Sequence, residues 1–244
     1  MLEIIKTKPQ FNTDKTVLFL HGWGGDKNSF LFAQKSMKDD FNTINLSFNG
    51  FGKTPAPKRP WCVFDYAVEI YLMLKKENIK KLSIVAHSFG GRVAILLSSV
   101  FNIEIEELIL VSSAGLKPRR NILYYFRIYL YKACKGLATK KLLPKKALKI
   151  FGSSDYKALN GIMRQTFIKV VNGHLDNFVP KIRAKKALVV WGKKDKSTKF
   201  CDAKVLQKTI SNSKLLVYKN AGHFSYAEYA VDFCNNVILF INSD

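Results

Sequence analysis

From Leu82 to Gly91 the sequence reads Leu82-Ser83-Ile84-Val85-Ala86-His87-Ser88-Phe89-Gly90-Gly91. Leu82 to Ala86 is a short, branched apolar run of strand character, and Phe89 to Val100 is a strongly apolar helix. Ser88 therefore stands at a sharp strand-to-helix turn. Ala86 and Gly90, two residues to either side, are small enough to keep the backbones there from colliding. Such a turn lifts the serine hydroxyl above the carboxyl end of a sheet and points the Phe89 amide toward the helix start, where negative charge is favoured. A serine at this place can also do no more than cap the helix.

The flanking sequence favours chemistry over capping. Thr16 to Leu20 is a second apolar strand run, and it ends in the glycine-rich turn His21-Gly22-Trp23-Gly24-Gly25. The Trp23 amide would lie on the same side of the sheet as the Phe89 amide, and two converging amides make an oxyanion hole. A serine hydroxyl also needs a base, and the base needs an orienting acid. Asp195 follows the strand run Ala187 to Trp191 through Gly192-Lys193-Lys194; His223 follows Leu215 to Tyr218 through Lys219-Asn220-Ala221-Gly222. Parallel strands would bring both loops to the edge that holds Ser88, in the chain order serine, acid, histidine.

Farther out, strand and helix runs alternate: Leu2 to Thr7, Thr16 to Leu20, a helix from Ser29 toward Lys38, Thr43 to Ser47, and a helix from Val63 to Lys76 with Val68, Leu72 and Leu74 as its apolar positions. After Ser88 come Glu107 to Val111, Ala187 to Trp191, a helix from Asp202 to Ile210, Leu215 to Tyr218 and a last helix from Tyr226 to Ile241. This order predicts an α/β fold, a mostly parallel sheet covered on both faces. The pattern breaks between Leu116 and Ile182, which reads as helices at Ile122 to Ala138, Lys145 to Phe151 and Ala158 to Val171, the last with Met163, Phe167 and Val170 or Val171 on one face. The expected organisation is a core of residues 1–115 and 184–244 with a helical cap at 116–183.

These motifs together resemble the α/β-hydrolase fold superfamily, in particular its small bacterial esterase and lipase-like members with a helical cap. His21 to Gly25 is similar to the family's oxyanion loop, Asn49-Gly50-Phe51-Gly52 to its following glycine loop, Ala86 to Gly91 to its nucleophile elbow, Trp191 to Asp195 to its acid turn, and Ala221-Gly222-His223-Phe224 to its histidine turn. The resemblance covers nearly the whole chain and implies a cap inserted after the family's sixth strand. It also implies a catalytic Ser88, Asp195 and His223, with Trp23 and Phe89 at the oxyanion hole. Three departures stand out. Ala86 replaces a glycine, the amino-terminal hairpin is cut to one strand, and Ser47 occupies the place of an aspartate that supports the oxyanion loop. His87 reads as a packed elbow residue pointing away from Ser88, and His21 as a hydrogen-bonding brace for the oxyanion loop.

Composition bounds the rest. The 244 residues are 48% hydrophobic and 24% charged, as in ordinary globular proteins. No apolar run suffices to span a bilayer, and the first residues lack a signal-peptide layout, so the cytoplasm is the expected compartment. Four separated cysteines read as free thiols, and four scattered histidines give no metal spacing. No cofactor and no metal are expected. Gly52-Lys53-Thr54 imitates the end of a phosphate loop, but Ser47 stands where its first glycine belongs and Pro55 interrupts the helix.

Forty lysines and arginines against eighteen acids give a net charge of +22. From Leu108 to Ser154 there is no acid at all, beside eleven basic residues. Within that interval Tyr124, Tyr125, Phe126, Tyr129 and Tyr131 interleave with Arg127 and Lys132. This suits contact with an anionic membrane surface through the cap, or a lid with solvated lysines. No signature of specific nucleic-acid binding accompanies the charge. The interval offers no carboxylate for a substrate ammonium, which disfavours aminopeptidase chemistry. The expected substrate is a small-molecule carboxylic ester or lipid; the alternatives are carbon–carbon bond hydrolysis, monoacylglycerol or lysophospholipid hydrolysis, and a catalytically silent binding protein.

Overall fold

The computed structural model describes residues 2–9, 13–118 and 161–243, with Leu130, Lys132, Cys134, Gly136, Thr139, Pro144 and Leu159 from the intervening interval. Seven strands form one sheet: β1 (Glu3–Thr7), β2 (Thr16–Leu20), β3 (Asn42–Ser47), β4 (Lys81–His87), β5 (Glu104–Val111), β6 (Ala184–Gly192) and β7 (Ser213–Tyr218), in the spatial order β1-β3-β2-β4-β5-β6-β7. Only β1 runs antiparallel, as the single amino-terminal strand expected, pairing Glu3 with Ser47 and Thr7 with Thr43. All other pairs are parallel. Leu20 pairs with Ala86, Ala86 with Leu110, Leu110 with Val189 and Val189 with Leu215, so β2, β4, β5, β6 and β7 all end at one edge. That register collects the loops starting at His21, Ser88, Ser112, Lys193 and Lys219 in one place.

Alternate strand residues feed two apolar layers. Leu18, Leu20, Ile84, Ala86, Leu108, Leu110, Val189 and Trp191 pack on one side with helices α2 (Val63–Lys76) and α3 (Phe89–Val100). Val17, Phe19, Val85, Ile109, Val111, Leu188 and Val190 pack on the other, against α1 (Leu31–Met37) and the carboxyl-terminal helix. Burial on both faces is why these strands read as continuous apolar runs rather than alternating ones.

The chain leaves the sheet after Val111 and returns at Ala184, and helical residues lie between. Of these, α4 (Gly161–Asn172) buries Thr166 and Val170. The end of this insertion is tied down: Leu175 N–H donates to the Gly115 carbonyl at 2.8 Å, and the buried Arg92 Nη1 donates to the Gly173 carbonyl at 2.5 Å. The expected helices Ile122 to Ala138 and Lys145 to Phe151 fall outside the described residues, except that Leu130, Lys132, Cys134 and Gly136 are helical.

Two expectations need correction. The buried stripe of α2 is Val63, Tyr66, Ala67, Ile70 and Leu74, whereas Leu72 is 59% exposed. Following α5 (Phe200–Thr209), the carboxyl-terminal helical stretch is not continuous. It divides into α6 (Ser225–Glu228) and α7 (Ala230–Asn242) at Tyr229, whose φ of −123° and ψ of 46° break the helix. The Tyr229 ring stacks on Tyr218 with centroids 4.8 Å apart, and Glu228 turns back to accept the Gly222 N–H, so tertiary contacts impose the break.

Candidate active site

Ser88 is the hinge between β4 and α3, with φ 49° and ψ −108°. This conformation is unfavourable for a side-chain-bearing residue, costing on the order of 1–3 kcal/mol. It is held from both sides: Ser88 N–H donates to Val111 O at 3.0 Å, and Ser88 O accepts the N–H groups of Gly91 and Ala114, each at 3.0 Å. An added Cβ on Gly90 would lie 2.2 Å from Leu20 O, and one on Gly91 would lie 2.0 Å from Ser113 Oγ. Of the two small flanks read from sequence, Gly90 is thus required by direct backbone approach. The capping alternative fails, because the Ser88 side chain makes no cap hydrogen bond. Its hydroxyl instead lies 3.1 Å from His223 Nε2.

His223 Nδ1 is 2.8 Å from Asp195 Oδ2. Burial pushes the Asp195 carboxyl up, but the bonds from His223 and Thr198 outweigh it and hold the group below the usual carboxylate range. An ionised carboxylate only accepts, so Nδ1–H donates to it, and Nε2 is left as the acceptor for the Ser88 O–H. That is the tautomer a general base needs. Asp195 is reinforced by the Ser197 N–H at 2.7 Å and the Thr198 N–H at 3.0 Å, both on Oδ1. The acid and histidine turns lock together, since Lys194 N–H donates to Ala221 O at 2.9 Å, and a Cβ on Gly192 would meet Gly222 O at 2.1 Å. The structure thus brings together Ser88, Asp195 and His223, which lie far apart in sequence.

The two other histidines at this edge are braces, as their sequence positions suggested. His87 is buried and its Nε2–H donates to the His223 carbonyl at 3.0 Å; burial pushes the ring down to about 3, so it is neutral and aimed at the histidine turn's backbone. His21 Nε2 accepts the Phe48 N–H at 3.1 Å, which leaves Nδ1–H to donate to Gly22 O at 2.7 Å. Burial pushes this ring down to about 4.

The loop carrying Trp23 lies directly on the elbow: a Cβ on Gly22 would be 2.7 Å from His87 Nδ1 and 3.4 Å from Ser88 Cβ. Gly25 N–H closes the loop on Gly22 O at 3.1 Å. The Trp23 ring packs edge-on against Phe51 at 4.9 Å, Phe89 at 5.3 Å and Phe167 of α4 at 5.0 Å. Phe89 opens α3, where the first amides have no intrahelical acceptor. Ser47 supports this loop without an aspartate, through an arrangement the sequence did not suggest. Its Oγ accepts the Lys27 N–H at 3.0 Å and donates to Glu3 Oε2 at 3.1 Å, and Glu3 also pairs with the Lys27 ammonium. The bonds from Lys27 and from the Lys53 N–H hold the Glu3 carboxyl down at about 2. A carboxylate from the antiparallel edge strand, acting through Ser47, therefore braces the segment after the His21–Gly25 loop.

A buried acid, an imidazole and a strained serine in hydrogen-bonded sequence at the carboxyl edge of a mostly parallel sheet define the site of a serine hydrolase. Residues 15–229 match the alpha/beta hydrolase fold family, and the chain belongs to it. Among curated proteins it is similar to monoacylglycerol lipase ABHD6 of Mus musculus, with 23% identity over 85% of this chain and 70% of that protein. Among solved structures it is similar to an esterase from Exiguobacterium antarcticum, with a TM-score of 0.76, 20% identity and coverage of 99% of this chain and 96% of the other. It is also similar to the enol-lactonase from Burkholderia xenovorans LB400, with a TM-score of 0.76, 16% identity and coverage of 99% and 96%.

Proposed function

We propose that the protein hydrolyses small carboxylic esters through an acyl-enzyme on Ser88. The observation that carries this reading is the hydrogen-bonded relay from Ser88 Oγ through His223 to Asp195, at 3.1 and 2.8 Å. His223 Nε2 takes the Ser88 proton as Oγ attacks the ester carbonyl, and Asp195 stabilises the imidazolium. The amides of Trp23 and Phe89 receive the oxyanion. His223 then gives its proton to the leaving alcohol, and activates water to release the acid and regenerate Ser88. The esterase, lactonase and lipase names among similar proteins support an ester bond as the target. The acid-free interval from Leu108 to Ser154 argues against a substrate with a free amino terminus.

A panel of nitrophenyl esters, aminoacyl anilides and a carbon–carbon diketone substrate tests this. Short and medium acyl esters should turn over fastest; faster anilide or diketone hydrolysis would reject the ester reading. The proposal places the protein in the cytoplasm, with the basic interval able to touch anionic membrane surfaces. Cosedimentation with anionic vesicles should then fall between 0.1 and 1 M salt, as the Debye length contracts from about 10 to about 3 Å. Replacing Arg127, Lys132 and Lys135 by glutamine should weaken it too, and equal binding by parent and variant would reject the membrane contact.

A further inference from the structure

We propose that Thr198 is a positioning residue for Asp195, its hydroxyl sharing with the His223 N–H the one carboxylate oxygen that faces the base. The inference rests on the serine-hydrolase reading of the same site. Asp195 Oδ2 lies 2.7 Å from Thr198 Oγ1 and 2.8 Å from His223 Nδ1. The hydroxyl has one proton and two acceptors, Asp195 Oδ2 at 2.7 Å and the Ser112 carbonyl at 3.1 Å, and it donates to the nearer, charged carboxylate oxygen. With Ser197 N–H and Thr198 N–H on Oδ1, all four acceptor positions of a fully buried carboxylate side chain are filled.

Thr198 is itself held at each of its polar atoms. Its N–H is on Oδ1, and its carbonyl accepts Nε1–H of the fully buried Trp191 at 3.1 Å. Its Oγ1 is also 3.1 Å from the Ser112 carbonyl. Ser112 follows β5 and is fully buried with φ 44°, a left-handed backbone that side-chain-bearing residues rarely adopt. The hydroxyl is therefore enclosed between the end of β5 and the acid, and its Oγ1 stands 3.5 Å from His223 Nδ1. A second donor on Oδ2 keeps that oxygen directed at the base and draws off part of its negative charge, so the oxygen stabilises an imidazolium less than a singly bonded one would. The titratable neighbours are few: His87 is kept neutral by burial, Lys193, Lys194 and Lys196 of the acid turn are exposed, and Glu228 is engaged by the Gly222 N–H.

The test compares the parent with Thr198→Val and Thr198→Ser by two readouts. The first is the low-field proton resonance of His223 Nδ1–H, which requires no turnover; the second is the acidic limb of kcat/KM against pH for a nitrophenyl ester. In Thr198→Val, Oδ2 loses its second donor and binds the imidazolium more strongly. The resonance should move farther downfield and the acidic limb should rise by about half a pH unit, with KM unchanged. Thr198→Ser should restore both. If Thr198→Val does not fold, Thr198→Ala carries the same expectation. A resonance and limb unchanged in the variant that lacks the hydroxyl would overturn the proposal even if its melting temperature falls, and so would a limb that moves down. Failure of the parent to turn over any ester would count against the hydrolase reading instead, while the resonance would still judge Thr198.

Discussion

Replacing Ser88 by alanine is expected to lower ester turnover by a factor on the order of 10⁶ while leaving the fold intact. The size follows from the absence of a substitute: His87 is neutral and engaged with the His223 carbonyl, and His21 is bound at both ring nitrogens. The fold should survive because the bonds that hold the elbow use the Ser88 backbone, its N–H on Val111 O and its carbonyl under Gly91 and Ala114 N–H. Steady-state assays with circular dichroism check both halves. Loss of less than tenfold would mean that another group performs the attack.

The second large effect concerns Gly90. Alanine there would place Cβ 2.2 Å from Leu20 O, 2.7 Å from Leu20 C and 2.8 Å from His21 O, all backbone atoms that cannot swing aside. Either α3 retreats from β2 or the oxyanion loop lifts, and both separate the Trp23 amide from Ser88. Overpacking of this kind costs about 1–3 kcal/mol, and displacement of a catalytic group by about 1 Å costs roughly a hundredfold in rate. Gly90→Ala should therefore melt several degrees lower and lose most of its turnover even well below its melting point. Gly173→Ala serves as the control, since its Cβ would meet nothing nearer than 3.4 Å. Equal melting and turnover for Gly90→Ala and the parent would contradict the close approach between elbow and oxyanion loop.

The elbow was legible in sequence because its requirements are local. Strand, small residue, serine, small residue and helix must follow one another in the chain, and α2 and α3 start and stop where their side chains change character. The acid and base were legible because parallel strands bring their following loops to one edge. What escaped depends on contacts between distant segments. The Glu3 and Ser47 brace spans 44 residues and replaces an aspartate by a pair that has no sequence pattern. The break at Tyr229 answers to Tyr218 and Gly222, neither of which lies in the helical stretch. Leu72 looked like a core position because it stands one helical turn after Val68, yet the stripe that faces the sheet passes through Tyr66, Ala67 and Ile70. Thr198 carried a weak signal, an aspartate followed at the second and third places by serine and threonine, whose N–H groups close a turn on Oδ1. Its bond to Oδ2 could not be read, because the Ser112 carbonyl beside it comes from the turn after β5, 86 residues away.

The central claim is that Ser88 is the nucleophile, and a fluorophosphonate probe tests it most directly. Incubation of the intact protein, followed by intact mass and peptide mapping, should show one label per chain, on Ser88, and none in Ser88→Ala. Full labelling that persists in Ser88→Ala, or that maps to another serine such as Ser112 or Ser225, would contradict the account.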